Sequence, residues 1–368
     1  MILENARIVV GDGACIDGWV RIENGTIAEV GEGRTPAGEP AVDVGGRWLG
    51  PGFIDPHIHG GYGTDVMDAD PAGVRELARA LTRHGVTAFL PSTYTASHEA
   101  TLAALRAIEA ARSSASDGAG ILGVHMEGPF LSARCRGAHP EAHLEDGSAE
   151  RLHAYLDAAL VRVMTVAPER AGNEEVIAHL RAAGVVVSLG HSDALVAQVR
   201  AAVDAGAQSV THLFNGMRAF HHREAGILGA ALAFPELTCE LIADGIHVSS
   251  EALRLAWLAK GPRGIMLVSD AGRTAGPERH GGDAIRLADG TLSSSSLMID
   301  AGLRRLCDAT GATLAEAWAA SGPNAATVLG LRTKGSVCAG FDADLTVLDS
   351  EGMVTATVVG GTLVHGGL

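Results

Sequence analysis

The middle of this chain is dominated by an alternation that leaves few folds open. Eight short apolar runs of strand character recur between residues 51 and 334, with helical patterns between many of them. The strand candidates are FIDPHIH (53–59), VTAFLPST (86–93), GILGVHME (120–127), VRVMTVAP (161–168), VVVSLGH (185–191), SVTHL (209–213), CELIADGIHV (239–248) and IMLVSDA (265–271). One helical pattern opens with Asp70 as N-cap and Pro71 in first position, then sets Val74, Leu77, Ala78 and Leu81 on one face and stops at Gly85. Another starts at Asn173, gathers Val176, Ile177 and Leu180, and ends at Gly184. Alternating strands and helices build a parallel sheet, and eight such units close a (β/α)8 barrel. A doubly wound open sheet is the competing solution. It normally carries G-x-G-x-x-G after its first strand, which the HGGYG turn does not match.

The two ends read differently. Residues 1–50 hold short strands, with ENGT as an Asn-Gly hairpin turn, and ADLTVLDSEGMVTATVVGGTLVH near the C-terminus has period-two stretches. The expectation is one small β-sandwich domain built from both termini, 1–50 plus 335–368, beside a barrel at 51–334. With 47% hydrophobic residues among 368, a large core can form. The net charge of −15, from 28 basic and 43 acidic residues, argues against nucleic-acid or anionic-membrane binding. A few local arginines and helix N-termini still allow an anionic small substrate. Five scattered cysteines without a CxxC read as reduced thiols. With no signal peptide and no long apolar run, the expected location is the cytoplasm.

Chemistry in such a barrel sits where strands reach its C-terminal face. His57 and His59 fall at the end of the first strand candidate, Glu127 at the third, His191 at the fifth, His212 at the sixth and Asp270 at the eighth. Alternate residues of a strand face one way, so His57-Ile58-His59 points two imidazoles together. Imidazoles with a carboxylate suit zinc, iron, manganese or cobalt and leave positions for water and substrate. A water on such a cation has its pKa lowered towards about 7, and Asp270 can take its proton and later deliver it to a leaving group.

Longer motifs then narrow the field: PGFIDPHIHGGYG (51–63), HMEGPFLS (125–132), GAHP (137–140), LGHSDA (189–194), THLFNGM (211–217), ADGIHV (243–248), LVSDA (267–271) and GFDADLTVLD (340–349). Together they resemble the N-acetylglucosamine-6-phosphate deacetylase family of the amidohydrolase superfamily, across nearly the whole chain. The resemblance implies Glu127, His191 and His212 as principal metal ligands. It puts His57 and His59 at a second metal position, with Glu127 as a bridge, so that one or two divalent ions are bound per subunit. Asp270 would be general base and acid, and His139 would polarise the acetamide oxygen. Ala138, Asn215, Gly216, Asp244, His247, Leu292, Ser293 and Ser294 would line the substrate. Arg223 would reach the phosphate in the neighbouring subunit's site, which implies a homodimer. The implied reaction converts N-acetyl-D-glucosamine 6-phosphate and water to D-glucosamine 6-phosphate and acetate.

Three departures from the family pattern stand out, and the first two bear on the sugar. The stretch 271–290 matches the family only loosely, Ser294 stands where glycine is usual, and Gly216 stands where alanine is usual. A related substrate, such as the galactosamine epimer or a non-phosphorylated amide, stays open. So does the role of Cys135, as a soft ligand or a bystander thiol. An inactive barrel serving only as a binding module would have lost ligands, and none of the six strand-end residues is missing.

Overall fold

A computed structural model describes residues 1–11, 13–36, 38–115, 117–276 and 284–368. Its centre is the parallel barrel. The strands run Phe53–Ile58, Val86–Thr93, Val124–Glu127, Val161–Val166, Val186–Leu189, Ser209–Val210, Thr238–Leu241 and Ile265–Leu267, in that order around the wall. A two-residue piece, Gly120–Ile121, precedes the third. Helices follow each strand in turn, from Pro71–Leu81 to Ile299–Thr310. Closure between the last and first strands falls to a few bonds. Asp270 N–H donates to the His57 carbonyl at 2.9 Å, His59 N–H to the Ala271 carbonyl at 2.9 Å, and Ser269 N–H to Asp55 Oδ1 at 3.2 Å.

Local rules explain the first helix. Asp70 accepts from the Ala72 and Gly73 N–H groups at 2.9 and 3.1 Å, and Pro71 needs no donor at that position. Val74, Leu77, Ala78 and Leu81 are all buried, and Gly85 takes the left-handed turn that ends the segment. Asp70→Ala is expected to lower unfolding free energy by about 1 kcal/mol, measured by urea titration.

Strand ends depart from expectation. The fifth strand stops at Leu189, the sixth at Val210, the seventh at Leu241 and the eighth at Leu267. His191, His212 and Asp270 therefore sit two or three residues beyond their strands, each on left-handed backbone with φ of 45°, 29° and 46°. That conformation breaks the ladder and turns the side chain across the barrel mouth instead of along its wall.

The interior is layered. At the N-terminal end Ile54, Ala88, Leu90, Val163, Val186 and Met266 are capped by Ala325, Ala326 and Leu329 from the helix Pro323–Val328 and its end. One step along the same strands the lining becomes polar. Thr165 Oγ1 and Ser188 Oγ each lie 2.7 Å from Thr211 Oγ1, and His125 Nε2 accepts from Thr165 Oγ1 at 2.8 Å. The apolar plug thus lies at the closed end and the hydrogen-bonded layer lies under the chemistry.

Both chain ends meet in one eight-stranded sheet. Ile2–Gly11, Ala14–Glu23, Thr26–Glu32, Val42–Asp43 and Trp48–Pro51 join Leu345–Leu348, Val354–Val359 and Thr362–Gly366. Asn24 and Gly25, with φ of 50° and 80°, form the expected hairpin turn. A separate apolar cluster, including Leu3, Ile8, Val20, Ile27, Leu345 and Val347, covers this sheet. All five cysteines are free thiols. Among the described residues no helix is long and apolar enough to cross a membrane.

Candidate active site

Five imidazoles and two carboxylates converge at the C-terminal mouth, and all are buried. Glu127 is their hub. Its Oε1 lies 2.8 Å from His212 Nε2 and 3.0 Å from His191 Nε2. Its Oε2 lies 3.3 Å from both His59 Nε2 and His139 Nε2, and 3.7 Å from His57 Nε2. Asp270 Oδ1 is 3.2 Å from His59 Nε2 and 3.8 Å from His57 Nε2.

Which ring nitrogen carries the proton follows from the partners behind each ring. His57 Nδ1 lies 2.9 Å from Glu240 Oε2, His59 Nδ1 lies 3.0 Å from the Ser92 carbonyl, and His191 Nδ1 lies 2.9 Å from the Cys135 carbonyl. Those acceptors hold a hydrogen on Nδ1, so each ring, once neutral, turns its Nε2 lone pair towards Glu127. His139 is the reverse case. Thr95 N–H donates to its Nδ1 at 3.2 Å, with Thr95 Oγ1 at 2.9 Å, so the neutral ring carries its hydrogen on Nε2. His139 is thus a hydrogen-bond donor into the site and not a ligand. His125 is excluded as well, because Nδ1 donates to the Pro56 carbonyl and Nε2 accepts from Thr165.

These residues fit a divalent cation. Tetrahedral nitrogen or oxygen ligands of such an ion lie about 3.3 Å apart. The His57–His59 and His191–His212 Nε2 pairs are 3.1 and 3.0 Å apart, lone pairs facing one another unless a cation or proton stands between them. Two groups share the two oxygens of Glu127: His57, His59 and Asp270 on one side, His191 and His212 on the other.

The electrostatics agree. Burial pushes the Glu127 carboxyl up, but His139, His57 and His191 outweigh it and hold it well below the usual carboxylate range. Asp270 behaves alike: burial raises it, and His57 and His59 bring it below its ordinary value, so it is ionised at neutral pH. Burial lowers His59, yet Asp270 and Glu127 lift it to about 9. With a raised pKa, the free imidazole keeps its second proton at neutral pH, and a cation must displace it. Metal uptake near pH 7.5 is therefore expected to release about one proton at this position, with affinity falling as pH falls. Calorimetry in two buffers of different ionisation enthalpy measures it; identical heats in both would contradict it.

A cavity of about 390 Å³ opens beside this cluster. Ala138, His139, Asn215, Gly216, His247, Leu292 and Ser293 line it, together with Arg286, which the sequence did not single out. Gly216 has φ of 59°, and a Cβ there would stand 2.8 Å from His191 Nδ1, so glycine leaves that imidazole room. Ser294 lines an adjoining cavity instead. Asp244 is placed otherwise than expected. Its Oδ1 accepts from the Ile246 and His247 N–H groups and its Oδ2 lies 2.7 Å from His247 Nδ1, so it aims His247 and does not line the cavity. Arg223 is exposed, 3.0 Å from His222 Nε2, and outside its own chain's cavity. Cys135 contributes its carbonyl to His191, while burial pushes its thiol up to about 11. Within the loosely matching loop, 277–283 lie outside the described residues.

Two carboxylates escape a reading of the sequence. Glu240, 1% exposed, holds His57 and also accepts from His212 N–H at 3.3 Å. Asp55, fully buried and pushed up to about 6 by desolvation, accepts from the N–H groups of His57 and Ser269 and so ties the first strand to the last. A lone acid inside an apolar run was the available signal for both.

Residues 48–364 match the model of the amidohydrolase family. The N-acetylglucosamine-6-phosphate deacetylase of Bacillus subtilis (strain 168) is 36% identical over 382 residues, spanning 99% of this chain and 96% of the relative. The N-acetylgalactosamine-6-phosphate deacetylase of Escherichia coli O157:H7 is 37% identical over 365 residues, 95% of each. A mutant N-acetyl-D-glucosamine-6-phosphate deacetylase from Mycobacterium smegmatis, solved with N-acetyl-D-glucosamine-6-phosphate, has a TM-score of 0.89 and 32% identity over 99% of both chains. The chain belongs to the amidohydrolase family, in the branch that holds the N-acetylglucosamine-6-phosphate deacetylases.

Proposed function

We propose that the protein hydrolyses the acetamide of N-acetyl-D-glucosamine 6-phosphate, giving D-glucosamine 6-phosphate and acetate. The observation that carries this reading is the meeting of an ionised Asp270, a His139 that offers Nε2–H, and a set of inward-facing lone pairs around Glu127, all opening on one polar cavity. His57 and His59, with Glu127 shared, and His191 with His212, would hold one or two divalent ions. Zinc leads in this reading, and iron, manganese and cobalt share the same donors. Such an ion lowers the pKa of water and polarises a carbonyl.

The chain's own groups do the rest. His139 donates to the amide oxygen as charge grows on it. Asp270 takes a proton from the attacking water and returns it to the departing amine. Asn215, His247 and the cavity wall receive the sugar. Arg223 serves the phosphate of a neighbouring subunit in a homodimer, its exposed position outside its own cavity being the support for that role. Its planar fork matches phosphate oxygens. Arg223→Met is expected to raise KM for the phosphorylated sugar about tenfold with kcat little changed, by steady-state kinetics.

The division into a terminal unit, 1–50 plus 335–368, and a hydrolase barrel, 51–334, belongs to this reading and is supported by the separate apolar clusters. The cytoplasm follows from the substrate, since a sugar phosphate carries charges costly to move through lipid. Metal analysis of protein purified without chelator, followed by acetate release from the 6-phosphate sugar, tests the whole. Metal-bearing protein that releases no acetate from either the gluco or the galacto epimer would end it.

A further inference from the structure

The barrel mouth has a second arm. It is a cavity of about 290 Å³ that shares Glu127, Ala138, His139 and Ser293 with the polar one. Its remaining wall sets the apolar side chains of Tyr94, Pro140, Ile285 and Leu287 beside Gly272 and the polar His59, Asp65, Arg273, Thr274 and Ser294. The cation there, Arg273, is spoken for: it donates to both oxygens of Asp68 at 2.6 Å. The Tyr94 ring stands 5.9 Å from the His59 ring, so this apolar wall reaches the donor cluster itself.

An amide carbon decides what such an arm receives. It carries three groups in one plane: oxygen, nitrogen and the acyl chain. The nitrogen leaves with a proton from Asp270, which lines only the polar cavity. The oxygen faces His139, which lines both. The acyl chain takes the third direction, into the apolar arm. A methyl group fills on the order of 30 Å³, about a water's share, so the arm is several times larger than acetyl requires.

We infer that this arm is an acyl pocket, and that the enzyme hydrolyses amino-sugar phosphates bearing N-acyl chains of three and four carbons as well as acetyl. This rests on the deacetylase reading above. The bond changes are those of the acetamide: the water oxygen joins the carbonyl carbon, the C–N bond breaks, the amine gains a proton and a longer carboxylate leaves. No further reactant is needed.

The test compares kcat/KM for N-acetyl-, N-propanoyl- and N-butanoyl-D-glucosamine 6-phosphate. The longer substrates are expected to equal the acetyl compound or exceed it, by up to about fourfold per buried methylene. Leu287→Trp narrows the arm at a half-exposed position outside the catalytic groups. It is expected to lower the butanoyl-to-acetyl ratio of kcat/KM more than tenfold. Normal acetyl turnover with butanoyl more than a hundredfold slower in the unaltered enzyme overturns the pocket. Equal losses on both substrates in Leu287→Trp also overturn it. No acetyl turnover at all overturns the deacetylase reading, and this inference with it.

Discussion

Replacing Asp270 with asparagine is expected to leave metal bound and to cut kcat by about 10²- to 10⁴-fold. The carboxylate is buried, ionised, and within 3.2 Å of His59 Nε2, where it can meet a proton leaving water. Asparagine keeps the shape and one oxygen, so the backbone bonds from Asp270 to His57 and from Ser295 to Asp270 survive. What disappears is a group able to accept a proton and pass it on. Metal content by elemental analysis and single-turnover kinetics separate the two effects. Retained turnover would remove Asp270 from the proton path, and lost metal would mark it as chiefly a ligand.

Glu240→Leu should weaken metal binding at the His57 side about 10- to 100-fold. One oxygen of Glu240 accepts both His57 Nδ1–H and His212 N–H. Burial works against the Glu240 charge, but His57 outweighs it and keeps the carboxyl below its ordinary value. Leucine would strand both donors, and with no acceptor behind it His57 can place its hydrogen on Nε2, where the lone pair belongs. Glu240→Gln preserves an oxygen there and is expected to recover most of the affinity. Equilibrium dialysis followed by metal analysis reads the difference; a leucine variant that holds metal as tightly as before would leave Glu240 a mere filler.

How much of this was readable beforehand depends on how local the cause is. The helix after Asp70 and the Asn24-Gly25 turn were legible because cap, proline and glycine act within a few residues. The barrel was legible because eight periodic units leave few other packings. The strand ends were not. LGH and LVSD run on from apolar strands past the point where the ladder stops, and nothing in the letters says that His191 or Asp270 turns left-handed. Glu240 and Asp55 were passed over because an acid inside an apolar run declares no partner until the partner is brought to it. Asp244 shows the converse: its motif marked the right place, but only coordinates tell that it aims His247. His139 came from resemblance alone, and Thr95 behind it supplies the reason that resemblance lacked.

The sheet shared by both ends of the chain also constrains biosynthesis. Trp48–Pro51 leads directly into the first barrel strand, yet one of its neighbours is Leu345–Leu348, made almost three hundred residues later. On the ribosome, the early strands must wait with that edge uncovered until translation is nearly done. Slowing elongation late in the message should therefore lengthen exposure of a sticky edge and raise the demand for chaperones, while the finished enzyme remains the same.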